Sequence, residues 1–224
     1  MNMPILWAII CCAMLGFGGC ASSRVDPAQY SGFLKDYSLL KPAESATGAP
    51  VMRWIDPDVK LGKYTRVYIE PSQFFPPPQP TAVIPAQTLQ AITRYFDTAL
   101  RRELGKNLPL ASGPGPDTLV VRPAITAVST STEDLKPYEV IPLALVAAAV
   151  NTATGGRDQK VEIATEAAFL DADSHKVLAQ VVRKGSGTPL ENDKTQLTLD
   201  SVKPVLDGWA KDLRLSYETL KAKH

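Results

Sequence analysis

Apolar residues recur along this chain at two spacings, every second residue or every third and fourth, and the switches between them lay out its elements. Residues 66–70, Arg66-Val67-Tyr68-Ile69-Glu70, alternate polar and apolar until Pro71 breaks the ladder, which predicts a half-buried strand. From Pro85 onward Leu89, Ile92, Phe96, Ala99, Leu100 and Leu104 share one stripe, while Arg94, Asp97, Arg101 and Arg102 take other faces. Gly105 stops this helix. Residues 118–121 are rich in β-formers, and Pro123 marks the continuation to Thr130 as an edge or bulged strand. Val161, Ile163, Thr165, Ala167 and Phe169 alternate with Glu162, Ala164, Glu166 and Ala168. Residues 177–182 repeat the alternation after the polar turn 171–176, which predicts a hairpin. Ser201 is placed to cap a last helix with Pro204 in its first turn and Val202, Leu206, Trp209, Leu213, Tyr217 and Leu220 as its stripe.

Residues 140–150 are the most hydrophobic run after the leader. As a helix they would rise only about 16 Å, too little to cross a bilayer. A buried helix is expected there, with an interfacial membrane element as the alternative; the lack of neighbouring Lys or Arg beyond Lys136 argues against the latter. The element order is then strand, helix, strand, short helix, hairpin, helix. It predicts an α+β fold, a single antiparallel or mixed sheet with two long helices packed on one face.

Ahead of this body the pattern changes. Residues 1–20 hold no Asp, Glu, Lys or Arg, and the apolar stretch 5–17 has the length of an export-signal core. Gly18, Gly19 and Cys20 resemble a lipobox, in which the cysteine thiol receives a diacylglyceryl group before cleavage; Phe17 stands where leucine is usual. An uncleaved anchor, or a plain cleaved signal with Cys20 incidental, are the alternatives. Ala21 and Ser22 follow without an Asp, which by analogy with other lipoproteins favours the outer membrane and a domain facing the periplasm. The division expected is a signal peptide over residues 1–19, a lipidated tether and extension over 20–60, and the folded domain over 61–224. Within the extension, Phe33, Leu34, Tyr37 and Leu40 fall at helical spacing, as in a short helical turn docked on the body or a partner-binding segment.

Composition narrows the chemistry. Cys11 and Cys12 lie in the leader and Cys20 is the anchor, so the mature domain has no thiol and no disulfide. With 24 Lys and Arg against 23 Asp and Glu there is no basic excess, and nucleic acid is not an expected partner. The two histidines, His175 in the hairpin turn and His224 at the end, lack the shelter of a general base or zinc ligand. No cofactor or metal is expected. Glu162 and Glu166 are four apart on one strand, and Asp171 and Asp173 sit in the adjoining turn; a solvent-facing, backbone-satisfying role is the expected one, against a catalytic or calcium role. Phe74, Phe75, Pro76, Pro77 and Pro78 form an extended loop with rings beside it, the candidate partner-binding stretch unless the rings seal the core.

Ser31-Gly32-Phe33-Leu34 with Asp36-Tyr37-Ser38 and Leu40, then Arg53-Trp54 and the hairpin 166–178, resemble the domain of unknown function 3313 family of bacterial lipoproteins. The resemblance implies location and fold kinship and no activity. The function expected is that of an outer-membrane lipoprotein, held by lipid at Cys20, whose non-catalytic periplasmic domain contacts another envelope protein or joins an assembly. The alternatives are a carboxylate-dependent cell-wall glycan hydrolase and a carrier of a small apolar ligand. The first needs two carboxyls roughly 5 to 9.5 Å apart in a cleft, and the second a pocket between sheet and helices.

Overall fold

The computed structural model describes residues 24–132 and 158–223; Cys20 and the apolar run 140–150 lie outside them. Seven strands form one mixed sheet in the order β1-β2-β7-β6-β5-β3, with β4 also paired to β5. The strands are β1 (Lys41–Glu44), β2 (Pro50–Ile55), β3 (Arg66–Ile69), β4 (Gln73–Phe74), β5 (Thr118–Thr132), β6 (Gln159–Asp171) and β7 (Val177–Ser186). Two long helices, α1 (Ala86–Leu104) and α2 (Leu199–Lys221), accompany them, and the architecture is α+β with one open sheet. β3 and β4 run parallel to β5, and the other pairs are antiparallel.

β5 lies inside the sheet rather than at its edge, and its proline is accommodated by two irregularities. β3 pairs residues up to Val121 and β4 resumes at Ala124, so Pro123, which has no N–H to donate, falls in the gap between them. Arg122 bridges that gap with two bonds to Glu70, 2.7 and 2.9 Å. The expected bulge is present as well, between Ile125 and Ala127.

The helix stripes meet the sheet as their spacing predicts. Leu89, Ile92, Phe96, Ala99, Leu100 and Leu104 of α1 are buried, as are Val202, Leu206, Trp209 and Tyr217 of α2, with Leu213 and Leu220 packed against them. Phe96 meets Trp209 edge-on at 6.3 Å. The end of β7 lies flush against α2: a Cβ on Gly187 would come within 2.3 Å of the Ser201 carbonyl oxygen. The α2 cap is Thr198 rather than Ser201, which sits at the third helical position and accepts the Thr198 N–H at 3.4 Å.

The start of the body differs from the sequence expectation. The segment assigned to a tether and extension contains two strands of the sheet, β1 and β2, and a strap across the sheet face turned away from the helices. Pro42 and Pro50 in these short strands hide them from a strand pattern. The strap docks as expected but is not helical. Apart from a 3₁₀ turn at Pro27–Gln29 it is irregular, with Gly32 at φ 86°. Val25, Leu34 and Leu40 are buried with Met52, Val120, Leu170 and Val182 in a second apolar cluster.

Candidate functional site

The strap explains the carboxylates of the hairpin. β6 turns Val161, Ile163, Ala167 and Phe169 toward the helices, so Glu166 faces the opposite side, where the strap covers it to 1% exposure. There it accepts hydrogen bonds from the Tyr37 hydroxyl (2.6 Å) and the Ser31 and Leu34 amides (2.8 and 3.4 Å). Burial, and then the bond to Glu166, push the Tyr37 hydroxyl up to about 12, so it stays a donor. Glu162 is buried too and pairs with Lys160 at 2.7 Å.

The solvent-facing expectation for these two residues is corrected: alternation assigned the face, but the face is covered. Asp171 likewise is buried. It pairs with Lys63 and accepts from the Ser174 amide and the Tyr64 hydroxyl, and Lys63 above all holds its carboxyl well below the usual range. These acids brace turns and strap.

The two rings of the partner-binding stretch are half-buried against the rest of the molecule. Phe74 packs against the main core, and Phe75 meets Phe33 of the strap edge-on at 5.7 Å. Pro76 and Pro78 are half-buried, and Pro77 is exposed. His175 is exposed at the hairpin turn, with φ 57°. Among the described residues no group of three or more His, Cys, Asp or Glu could hold a metal ion, and no helix is long and apolar enough to cross a membrane.

A cavity of about 120 Å³ lies between the helices and the helix-facing side of the sheet. Its walls include Phe96 and Leu100 of α1, Val121 of β5, Phe169 of β6, and Trp209 and Leu213 of α2. Arg53, Arg183 and Asp212 are the charged residues among its lining. Arg183 is 9% exposed and Asp212 3%; they pair at 2.6 Å, with the guanidinium also 5.4 Å from the Trp209 ring centre. The Thr47 amide in the β1–β2 turn donates to the other Asp212 oxygen at 3.0 Å. Burial alone would raise the Asp212 carboxyl, but the bonds from Arg183 and Thr47 bring it below its usual value.

Sequence reasoning singled out neither Arg183 nor Asp212. A signal for the first existed: continuing the alternation Ala179, Val181 by one step places Arg183 on the inward face. Asp212, three residues after Trp209 and beside the α2 stripe, reads as an ordinary polar flank.

Fold and site together define a single-sheet α+β domain, helices on one face and its own N-terminal strap on the other, with an apolar pocket under the helices. The chain belongs to the family described as protein of unknown function (DUF3313), whose model matches residues 29–213. It is 39% identical over 201 residues to the uncharacterized lipoprotein YdcL of Escherichia coli strain K12, covering 90% of each chain, and matches that of Escherichia coli O157:H7 equally. Among solved structures, the PelC dodecamer from Paraburkholderia phytofirmans is 8% identical, with 73% of this chain and 96% of that one covered at a TM-score of 0.37. The hypothetical protein CT253 from Chlamydia trachomatis is 12% identical, covering 71% and 95%, also at 0.37.

Proposed function

We propose that the protein is an outer-membrane lipoprotein, acylated at Cys20, whose periplasmic domain is non-catalytic and binds a small apolar ligand between its sheet and helices. The observation that carries this reading is the apolar pocket. At about 120 Å³ it has room for part of an apolar chain, and it is partly open to solvent, so a longer chain can extend out of it. Asp212, the one carboxylate among the described residues of its lining, is engaged by Arg183, so this lining offers no carboxyl pair of the kind glycan hydrolysis uses. The first expectation, an envelope-protein partner at Phe74 and Phe75, loses support because those rings already pack on the core and the strap.

The leader and the lipoprotein relatives support the anchor. Its geometry suits a ligand drawn from a bilayer. Only Ala21, Ser22 and Ser23 separate Cys20 from Arg24, and Val25 is already buried. Fully extended, that link spans about 14 Å, so the domain is held close to the membrane surface. Labelled palmitate fed to cells should mark the wild-type protein in the outer-membrane fraction and not Cys20→Ser. Equal labelling of the two would refute the anchor. For the pocket, Leu213→Trp should abolish uptake of decanol while leaving the melting temperature within a few degrees; unchanged uptake would refute the site.

A further inference from the structure

We propose that the pocket selects a single-chain amphiphile with an anionic head, a fatty-acid-type carboxylate, whose chain lies among Phe96, Leu100, Trp209 and Leu213 and whose carboxylate meets Arg53. The proposal rests on the reading of this pocket as a ligand site and adds what the ligand's head must be.

Charge comes first. The lining carries two guanidinium groups, Arg53 and Arg183, against one carboxylate, Asp212, an excess of one positive charge inside a predominantly apolar wall. Asp212 is already engaged by Arg183 and the Thr47 amide. The guanidinium of Arg53, which is half-buried, makes no side-chain hydrogen bond or ion pair among the described residues. Its direction is fixed by register. Met52 and Trp54 pack into the strap-side cluster while Ile55 packs against the helix-side core, so Arg53 projects toward the helices. Because Arg53 pairs with Val181, Arg183 is its diagonal neighbour on the same face, with backbones about 7 to 8 Å apart.

The hydrogen-bond inventory points the same way. The Arg183 Nε and the Tyr217 hydroxyl are buried without a partner among the described residues, and both residues line the pocket. A guanidinium N–H can only donate, and the Asp212 oxygens, which accept from Arg183 Nη2 and the Thr47 amide, are not within bonding reach of Nε. What the site lacks is therefore an acceptor bearing one negative charge. A carboxylate supplies both, and its planar pair of oxygens suits the guanidinium fork. A phosphate dianion would overshoot the single excess charge, and a cationic head would face Arg53 directly.

The test uses the mature acylated protein in lipid nanodiscs, with empty nanodiscs as the blank, and three probes of equal chain length: decanoate, decanol and decyltrimethylammonium. Binding is read from tryptophan fluorescence, since Trp209 lines the pocket. Decanoate should bind about tenfold tighter than decanol, equivalent to about 1.4 kcal/mol, and decyltrimethylammonium weaker than either. Arg53→Ala should bring the decanoate-to-decanol affinity ratio to about one, and Arg53→Lys should keep most of the preference. Equal affinity for decanoate and decanol in the wild type, or a preference that survives Arg53→Ala, would overturn the anionic head and leave the pocket standing. Binding of none of the three probes would overturn both.

Discussion

At Glu166 one carboxylate gathers a hydroxyl and two amides from a segment more than a hundred residues earlier in the chain, and at 1% exposure no bulk water competes for it. Removing one donor from such a group costs more than an average hydrogen bond, because the charge stays buried with its shell incomplete. Tyr37→Phe should therefore destabilise the domain by about 1.5 to 3 kcal/mol in urea unfolding and speed hydrogen exchange at the Ser31 and Leu34 amides. Unchanged exchange at those amides would show that the strap is held by its apolar contacts alone. The sequence placed Glu162 and Glu166 on the correct side of their strand and misjudged their surroundings. Period-two alternation reports which side a residue faces, and whether that side meets water depends on a segment that folds back from elsewhere. Arg53 was visible only as part of a family resemblance, since nothing local marks a cation as unpaired.

Helix periodicity transfers most faithfully from sequence to structure here, because a stripe of six apolar positions on α1 and another on α2 leave one way to bury both. What the stripes do not reveal is the polar seam between the helices. Glu103, which the stripe leaves unassigned, is 7% exposed and accepts from Arg102 of its own helix, from Lys106 just beyond the helix end and from Arg214 of α2. Lys106 above all, with Arg102 and Arg214, outweighs the upward push of burial and holds its carboxyl at about 2, below the ordinary 4.5. A depressed carboxyl stabilises the fold above its unfolded value and loses that contribution as pH falls through the folded one. The melting temperature should thus drop as pH falls from 4.5 toward 2, and Glu103→Gln should flatten the drop in that window. A variant with the wild-type acid profile would mean that the seam adds nothing. β1 and β2 escaped notice for the opposite reason: strands of four and six residues that include prolines carry too little pattern to stand out.

As a whole the molecule is a sheet enclosed on both sides, by two helices and by its own N-terminal strap. Where the sequence suggested a tether and extension over 20–60, docking of the strap leaves three residues between Cys20 and Arg24, the first described residue. The pocket could not be read from sequence because it is formed by residues from both helices and four strands. Such residues are indistinguishable in sequence from those that pack without a gap. Native mass spectrometry of the protein extracted gently from its envelope tests the central claim most directly. Wild type should carry a bound small amphiphile in addition to the mass of its acylated polypeptide, and Leu213→Trp should appear without it. Wild type seen only as the bare acylated chain, or the same adduct on both proteins, would contradict the account.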